Sequence, residues 1–218
     1  MREFFQLFAT PAFYAMILQL STPLVFAALA ALVSNKAGVL NIGIEGAMVS
    51  AALAAALLST LTGSAALGVL AGVIAGILMG LFFALCAVQR RFDEFQQELG
   101  IATNILAAGL AVFIIYAITG NKSDYPGIAM TPWNVPVLEE IPFLGEIFFQ
   151  NVNPLVYVAV LAIFAVRFLF RRTVLGVRIL AVGKNEASAA SVGISPARVK
   201  TIALVIAGGL AGFGGAYL

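Results

Sequence analysis

The sequence predicts an all-α bundle of membrane-spanning helices, and three observations carry that prediction. Six apolar runs approach the length of about 20 residues that crosses a bilayer. Charged residues make up 10% of the 218 positions, against about 25% in soluble domains. Basic and acidic residues collect in different connections between the runs, as they do in polytopic membrane proteins. Residues 1–218 read as one transmembrane domain. There is no histidine, so histidine acid–base chemistry and histidine-ligated metal are excluded. The single cysteine, Cys86, excludes an intrachain disulfide and sits in an apolar run as a small buried hydrophobe.

The first span is expected over Pro11–Val33, with Thr10 as cap, Pro11 in the first turn and Pro23 kinking its middle. Met1-Arg2-Glu3 carries one charge of each sign, and the run after it is too long for a signal-peptide core, so this span belongs to the mature chain. The second is expected over Ile44–Leu61 and the third over Ser64–Val88, antiparallel neighbours across the short Thr62-Gly63 link. The fourth covers Gly100–Thr119, the fifth Pro154–Phe170 and the sixth Pro196–Leu218. Gly68, Gly72, Gly76 and Gly80 form a stripe on the third helix that lets another helix come close. That neighbour belongs either to the same chain or to a second subunit. The chain ends at Leu218 within an apolar, glycine-rich run; either the sixth span ends flush with the membrane or the sequence is a fragment of a longer chain, and the fragment is the expected reading.

The basic residues set the orientation. Arg167, Arg171, Arg172, Arg178, Lys184, Arg198 and Lys200 face the single Glu186 in residues 167–200, which places that loop in the cytoplasm. Residues 120–153 hold Lys122 against Asp124, Glu139, Glu140 and Glu146, and Pro126, Pro132, Pro136 and Pro142 break any continuous helix, so that loop lies outside. Arg90 and Arg91 put the link after the third helix inside. Counting back, Lys36 is inside and the N-terminus outside, unless residues 34–44 dip into the bilayer.

That segment, Ser34 to Met48, sets polar and backbone-exposing residues between two apolar runs. A bilayer accepts this only where protein or a wet cavity shields the backbone, so a broken helix or re-entrant segment is expected near residues 34–46. A carboxylate near the bilayer centre is costly, so Glu45 should face protein, water or the interface. Asn41 shares its face if the helix extends that far, and Gly38, Gly43 and Gly46 allow the backbone to bend or approach another chain. Asn41, Gly43, Glu45 and Gly46 are therefore candidates for the substrate pathway; the competing readings are hydrogen bonds that hold the break together, or a cytoplasmic position without a special role. Asn104, beside Thr103 and near Gly109, is either an interhelical hydrogen-bonder or a second pathway residue.

The other constellation runs from Gly183 to Pro196. Asn185 caps a short helix, Glu186 suits its positive first turn, Gly193 ends it, and Ser195-Pro196 starts the next span. The small side chains fit a groove on a partner or form a solvated connector.

Asn41-Ile42-Gly43-Ile44-Glu45-Gly46, after Ala37-Gly38-Val39, resembles the inner-membrane permeases of the ABC importer group for branched-chain amino acids, ribose-type sugars and nucleosides. Thr173-Val174-Leu175-Gly176-Val177-Arg178, Ala181-Val182-Gly183 and Ala187 to Pro196 resemble that group's coupling region, and Gly208-Gly209-Leu210-Ala211-Gly212 its next helix. The resemblance spans residues 20–218. The Asn-Ile-Gly-Ile-Glu-Gly form is most similar to nucleoside-type permeases; sugar permeases tend to carry a Gly-Ile-Asp-Leu-Ser-type motif and amino-acid permeases an Asn-Phe-Ala-His-type one. Asp93-Glu94-Phe95-Gln96-Gln97-Glu98 is more polar than the family pattern before Gly100-Ile101-Ala102-Thr103-Asn104.

The resemblance implies a translocating subunit for nucleosides or related purine compounds, with simple sugars or branched-chain amino acids as the alternative. It implies an ABC ATP-binding subunit, a second permease subunit, identical or different, and an extracytoplasmic binding lipoprotein or protein, all at a bacterial-type inner membrane, with lipid around the spans and no nucleic acid. Gly183, Glu186, Ala187 and Gly193 would belong to the coupling helix that meets the ATPase. The chain has no Gly-x-x-x-x-Gly-Lys-Ser/Thr loop, so it is not expected to be an enzyme, and ATP would be bound by the partner; no cofactor or metal is expected in this subunit. Two rival classes remain, a secondary transporter or channel without an ATPase and a non-transporting scaffold. The first would need ionisable groups inside the spans, and apart from Glu45 they nearly lack them.

Overall fold

A computed structural model of the chain describes residues 10–89, 95–120, 125–133 and 147–218. Among them, six helices are long and apolar enough to cross a membrane. They are α1 (Pro11–Lys36), α2 (Ile44–Thr62), α3 (Ala65–Ala84), α4 (Gln96–Thr119), α5 (Pro154–Arg172) and α8 (Pro196–Tyr217). Two shorter helices, α6 (Val174–Lys184) and α7 (Glu186–Ser191), lie between α5 and α8. The only extended pairing among the described residues is one bridge between Trp133 and Val152.

Each span follows from its sequence with adjusted ends. α1 runs three residues past Val33 and stays helical through Pro23, which is buried. Thr10 holds its cap position with no side-chain cap bond, and Pro11 occupies the first turn. Gly63, at φ 68°, ends α2 in the left-handed region, so α3 turns straight back beside it. α3 ends in one wide π-turn, Leu85–Gln89. α4 starts at Gln96, four residues before the expected Gly100, which brings the polar stretch ahead of Gly100 onto the helix. Helix α6 lies where the sequence suggested only a cytoplasmic loop. The Thr173 side chain accepts from the Gly176 N–H to start it, and Gly176, Ile179 and Val182 form its buried stripe.

The bundle is assembled around α8, whose most extensive contact is with α3 and which also packs on α1 and α2. A Cβ added to Gly76 would stand 2.6 Å from the Gly212 Cα, and one on Gly208 would stand 2.9 Å from the Gly80 Cα. Lipid supplies no hydrophobic drive between helices, so such backbone-to-backbone packing provides the attraction. The glycine stripe of α3 is thus filled by the chain itself. Gly76 and Gly80 receive α8, and Gly68 and Gly72 receive Ala55, Ser59 and Ala51 of α2. α5 packs on α1, and Phe26 stacks on Phe213 at 5.7 Å. The outward faces of α4 and α5 show large apolar side chains such as Ile105, Phe113, Leu161 and Phe164, a surface suited to lipid.

Lys36, Arg171, Arg172, Arg178, Lys184, Arg198 and Lys200 gather at one end, where α1 and α5 finish and α2, α4 and α8 begin. Segments 125–133 and 147–153 lie at the other end, where the Thr60 hydroxyl donates to the Pro126 carbonyl and Ser59 Oγ accepts from the Ile128 N–H. Arg90 and Arg91, Asp93-Glu94, and the outer-loop charges Lys122, Asp124, Glu139, Glu140 and Glu146 with Pro136 and Pro142 lie outside the described residues.

The interruption near residues 34–46 takes a definite form. α1 has 26 residues and α2 has 19, about 39 Å and 28 Å of helix, so each alone covers a hydrocarbon core of roughly 30 Å. Residues 37–43 therefore join two full spans at the basic end. Glu45 stands on the first turn of α2 at that end, away from the bilayer centre.

Candidate functional site

The break is built by backbone chemistry. Gly38, at φ 75°, ends α1: its N–H donates to the Asn35 carbonyl at 3.1 Å, and the Val39 N–H donates to Ser34 at 3.1 Å. This crossed pair closes a helix by satisfying its last carbonyls, and it buries Val39 to 1% exposure. The chain then leaves helical geometry until Ile44, and its freed groups need partners.

α4 supplies them. Gln96 Oε1 accepts from the Leu40 N–H at 2.8 Å. Asn104 Nδ2 donates to the Ile42 carbonyl at 3.1 Å, while its Oδ1 accepts from the Gly46 N–H at 2.7 Å. Gly100 lies between them, where a Cβ would come within 2.9 Å of the Gly43 nitrogen. Gln96, Gly100 and Asn104 are four residues apart, so they share one face of α4. Asn104 is an interhelical hydrogen-bonder in this state. Gly46 fits because a Cβ there would stand 2.9 Å from the Thr103 carbonyl oxygen.

Asn41 and Glu45 do not share a helical face, because α2 begins at Ile44 and Asn41 precedes it. They point apart. Asn41 Oδ1 is buried and has no hydrogen-bond partner among the described residues. It adjoins a small void of about 10 Å³ among Gly43, Ala47, Phe83, Thr103 and Gly208. Glu45 is exposed on the first turn of α2, where the helix dipole favours a negative charge. The same face of α2 continues through Val49, Ala52, Leu53 and Ala56 into a cavity of about 430 Å³ at the far end of the bundle. Small apolar side chains dominate its wall, with Ser59, Tyr125, Asn153 and Tyr217 as polar points.

The second constellation lies on α6 and α7. Asn185 Oδ1 accepts from the Ser188 N–H at 2.9 Å and caps α7 as expected. Gly193, at φ 83°, closes α7 with the crossed pair used at Gly38: Gly193 N–H to Ala190 at 3.0 Å and Ile194 N–H to Ala189 at 3.1 Å. Pro196 starts α8 after Ser195, whose side chain makes no cap bond. Ala187, Ser188, Ser191 and Val192 are exposed, so α7 presents a thin, mostly uncharged edge at the basic end. Glu186 pairs with Lys200 of α8 at 2.6 Å.

Gly183 joins the two constellations. Its missing side chain is replaced by the Lys36 carbonyl, and a Cβ there would also stand 3.1 Å from the Gly38 nitrogen. The close of α1 thus rests on α6, two residues before the cap of α7. Ala187 and Gly193 face outward, whereas Gly183 and Glu186 are engaged within the chain. Sequence reasoning missed Gln96 and Lys200 as site residues. The spacing of Gln96 ahead of Gly100 and Asn104 was the available signal for the first; nothing local marked the second.

The model of the branched-chain amino acid transport system / permease component family matches residues 13–218. The chain belongs to this permease family. The guanosine ABC transporter permease protein NupQ of Bacillus subtilis is 34% identical over 202 residues, covering 89% of this chain and 63% of the relative. The nucleoside ABC transporter permease protein NupC of Lactococcus lactis is 29% identical over 202 residues, 90% of this chain and 63% of its own length. A Haloferax volcanii permease protein, whose name assigns it provisionally to a glucose ABC transporter, is 32% identical over 206 residues, 92% and 60%. The chain spans less than two thirds of the length of these relatives. No solved structure matches it significantly.

Proposed function

We propose that this permease-family chain forms the transmembrane pathway of an ATP-driven importer for nucleosides or related purine compounds. The observation that carries the reading is the close contact of Gly183 with Lys36 and Gly38. It joins a thin, exposed helix at the basic end to the interrupted segment between two spans. The basic end faces the cytoplasm of a bacterial-type inner membrane. There α7 meets an ABC ATP-binding subunit, which binds and hydrolyses the ATP. A second permease subunit completes the pathway, and a binding lipoprotein or protein delivers substrate to the outer end.

The residues divide the work as follows. Ala187 and Gly193 form the docking edge. Motion of α7 passes through Gly183 to the break and through Ser195-Pro196 to α8, the helix on which α1, α2 and α3 pack. The break, held by Asn104, shifts the first turn of α2 and with it Glu45. The face of α2 that lines the outer cavity then moves as one rigid helix. A cavity of about 430 Å³ with few charges suits an uncharged sugar-and-base molecule. The relatives named for guanosine and nucleosides support this substrate class. The relative named for glucose supports a simple sugar as the second reading.

Uptake of labelled nucleosides, sugars and branched-chain amino acids by the assembled complex tests the proposal. Nucleoside uptake that requires ATP is expected. Ala187→Trp should leave the protein in the membrane and uncouple ATP hydrolysis from uptake. Coupled, wild-type uptake in that variant removes α7 as the docking element, and uptake without any ATPase removes the importer reading.

A further inference from the structure

The ion pair between Glu186 and Lys200 is absorbed by neither the docking edge nor the break. Lys200 is on the second turn of α8 and is 5% exposed, an unusual position for a lysine. Its Nζ lies 2.6 Å from Glu186 Oε2, and the Glu186 side chain is half exposed. Glu186 is the first residue of α7. A helix of six residues cannot stabilise itself, so its orientation must come from attachments to the body. On α7 the buried residue is Ala189, a single methyl group. After α7 the chain passes through Gly193, a left-handed glycine, and the Ser195-Pro196 junction. Left to those two points, α7 would swing relative to α8.

We propose that Lys200 is a positioning residue that braces the docking helix: the Glu186–Lys200 pair closes residues 186–200 into a ring, so α7 and the first turns of α8 move as one body. The pair spans 14 residues and bypasses both pivots. A push on the exposed edge of α7 is then delivered to α8 instead of being lost in bending at Gly193. The buried position of Lys200 makes the brace stiff, because water competes poorly for its ammonium group. This inference rests on the proposed coupling role of α7, but the brace itself has a readout independent of transport.

The experiment uses the assembled complex in lipid nanodiscs, with Glu186→Ala, Lys200→Met and the exchanged pair Glu186→Lys/Lys200→Glu. Amide hydrogen exchange at Gly193 and Ile194, whose N–H groups close α7, should quicken at least fivefold in each single variant. Transport per ATP hydrolysed should fall at least fivefold in both. The exchanged pair should recover half or more of each loss, which independent roles for the two charges do not predict. Unchanged exchange in the single variants overturns the brace, as does failure of the exchanged pair to recover in a normally assembled complex. If Lys200→Met does not assemble, Glu186→Ala decides alone, because removing a half-exposed carboxylate opens no hole. If the unaltered complex transports nothing, the functional reading fails while the exchange measurement still judges the brace.

Discussion

Removing the Asn104 side chain should release the break, and the size of the effect follows from its two hydrogen bonds. The bond from the Gly46 N–H to Oδ1 is the costly one, because Gly46 is buried against α4 and its N–H has no water to turn to. Leaving such a donor unpaired costs about 1–3 kcal/mol. The bond from Nδ2 to the Ile42 carbonyl is at an exposed residue, and its loss costs about 0.5 kcal/mol, near the average for interhelical bonds in bilayers. Asn104→Ala should therefore weaken docking of the break by about 1.5–3.5 kcal/mol, roughly a 10- to 300-fold larger undocked population at 1.4 kcal/mol per tenfold. The assay is maleimide labelling of a Val39→Cys reporter in a Cys86→Ala background, since Val39 is 1% exposed when the break is docked. Thr103→Val is the control, because among the described residues the Thr103 hydroxyl bonds only to Leu99 of its own helix, and its loss frees no described group of the break. Equal labelling in Asn104→Ala and the parent, or an equal rise in Thr103→Val, would refute the assignment of Asn104 as the tie that holds the break.

Four other substitutions probe the packing. Gly76→Ala places a methyl group within 2.6 Å of the Gly212 Cα and should cost about 1–3 kcal/mol in detergent-titrated unfolding, whereas Gly109→Ala meets nothing within 4 Å and should be neutral or slightly stabilising. Gln96→Ala removes the partner of the Leu40 N–H and should raise Val39→Cys labelling by about 2- to 12-fold, since one bond near an exposed residue is worth about 0.5–1.5 kcal/mol. Gly183→Ala drives a methyl group into the Lys36 carbonyl and should push α6 away from the break, seen as faster maleimide labelling of the Val39→Cys reporter; unchanged labelling would show that the break does not depend on this contact.

The fold class was legible because membrane spans declare themselves locally. A run of about 20 apolar residues has only one way to satisfy its backbone in lipid, and the caps at Pro11, Asn185 and Gly193 are local chemistry. α6 escaped notice because Thr173 to Lys184 mixes charged and apolar residues, and it is helical only by burying Gly176, Ile179 and Val182 against the bundle. The candidate site divides along the same line. The Asn41–Gly46 motif stood out as an anomaly within an oily sequence. Its shape did not, since helical spacing would set Asn41 and Glu45 on one face only if the helix reached Asn41, and the helix begins at Ile44.

The sequence by itself determined that the chain spans a membrane, where most of its spans start and turn, which end carries the positive charge, and which permease family it resembles. These properties depend on residues within a turn or two of one another. Tertiary structure alone decided that the glycine stripe of α3 receives α8, that Asn104 ties down the break, that Gly183 rests on Lys36, and that Lys200 holds Glu186. Such contacts join residues far apart in the chain, or across a turn whose geometry no local pattern states. They form because a buried backbone group, charge or gap must find a complement, and only the folded bundle determines which one is within reach.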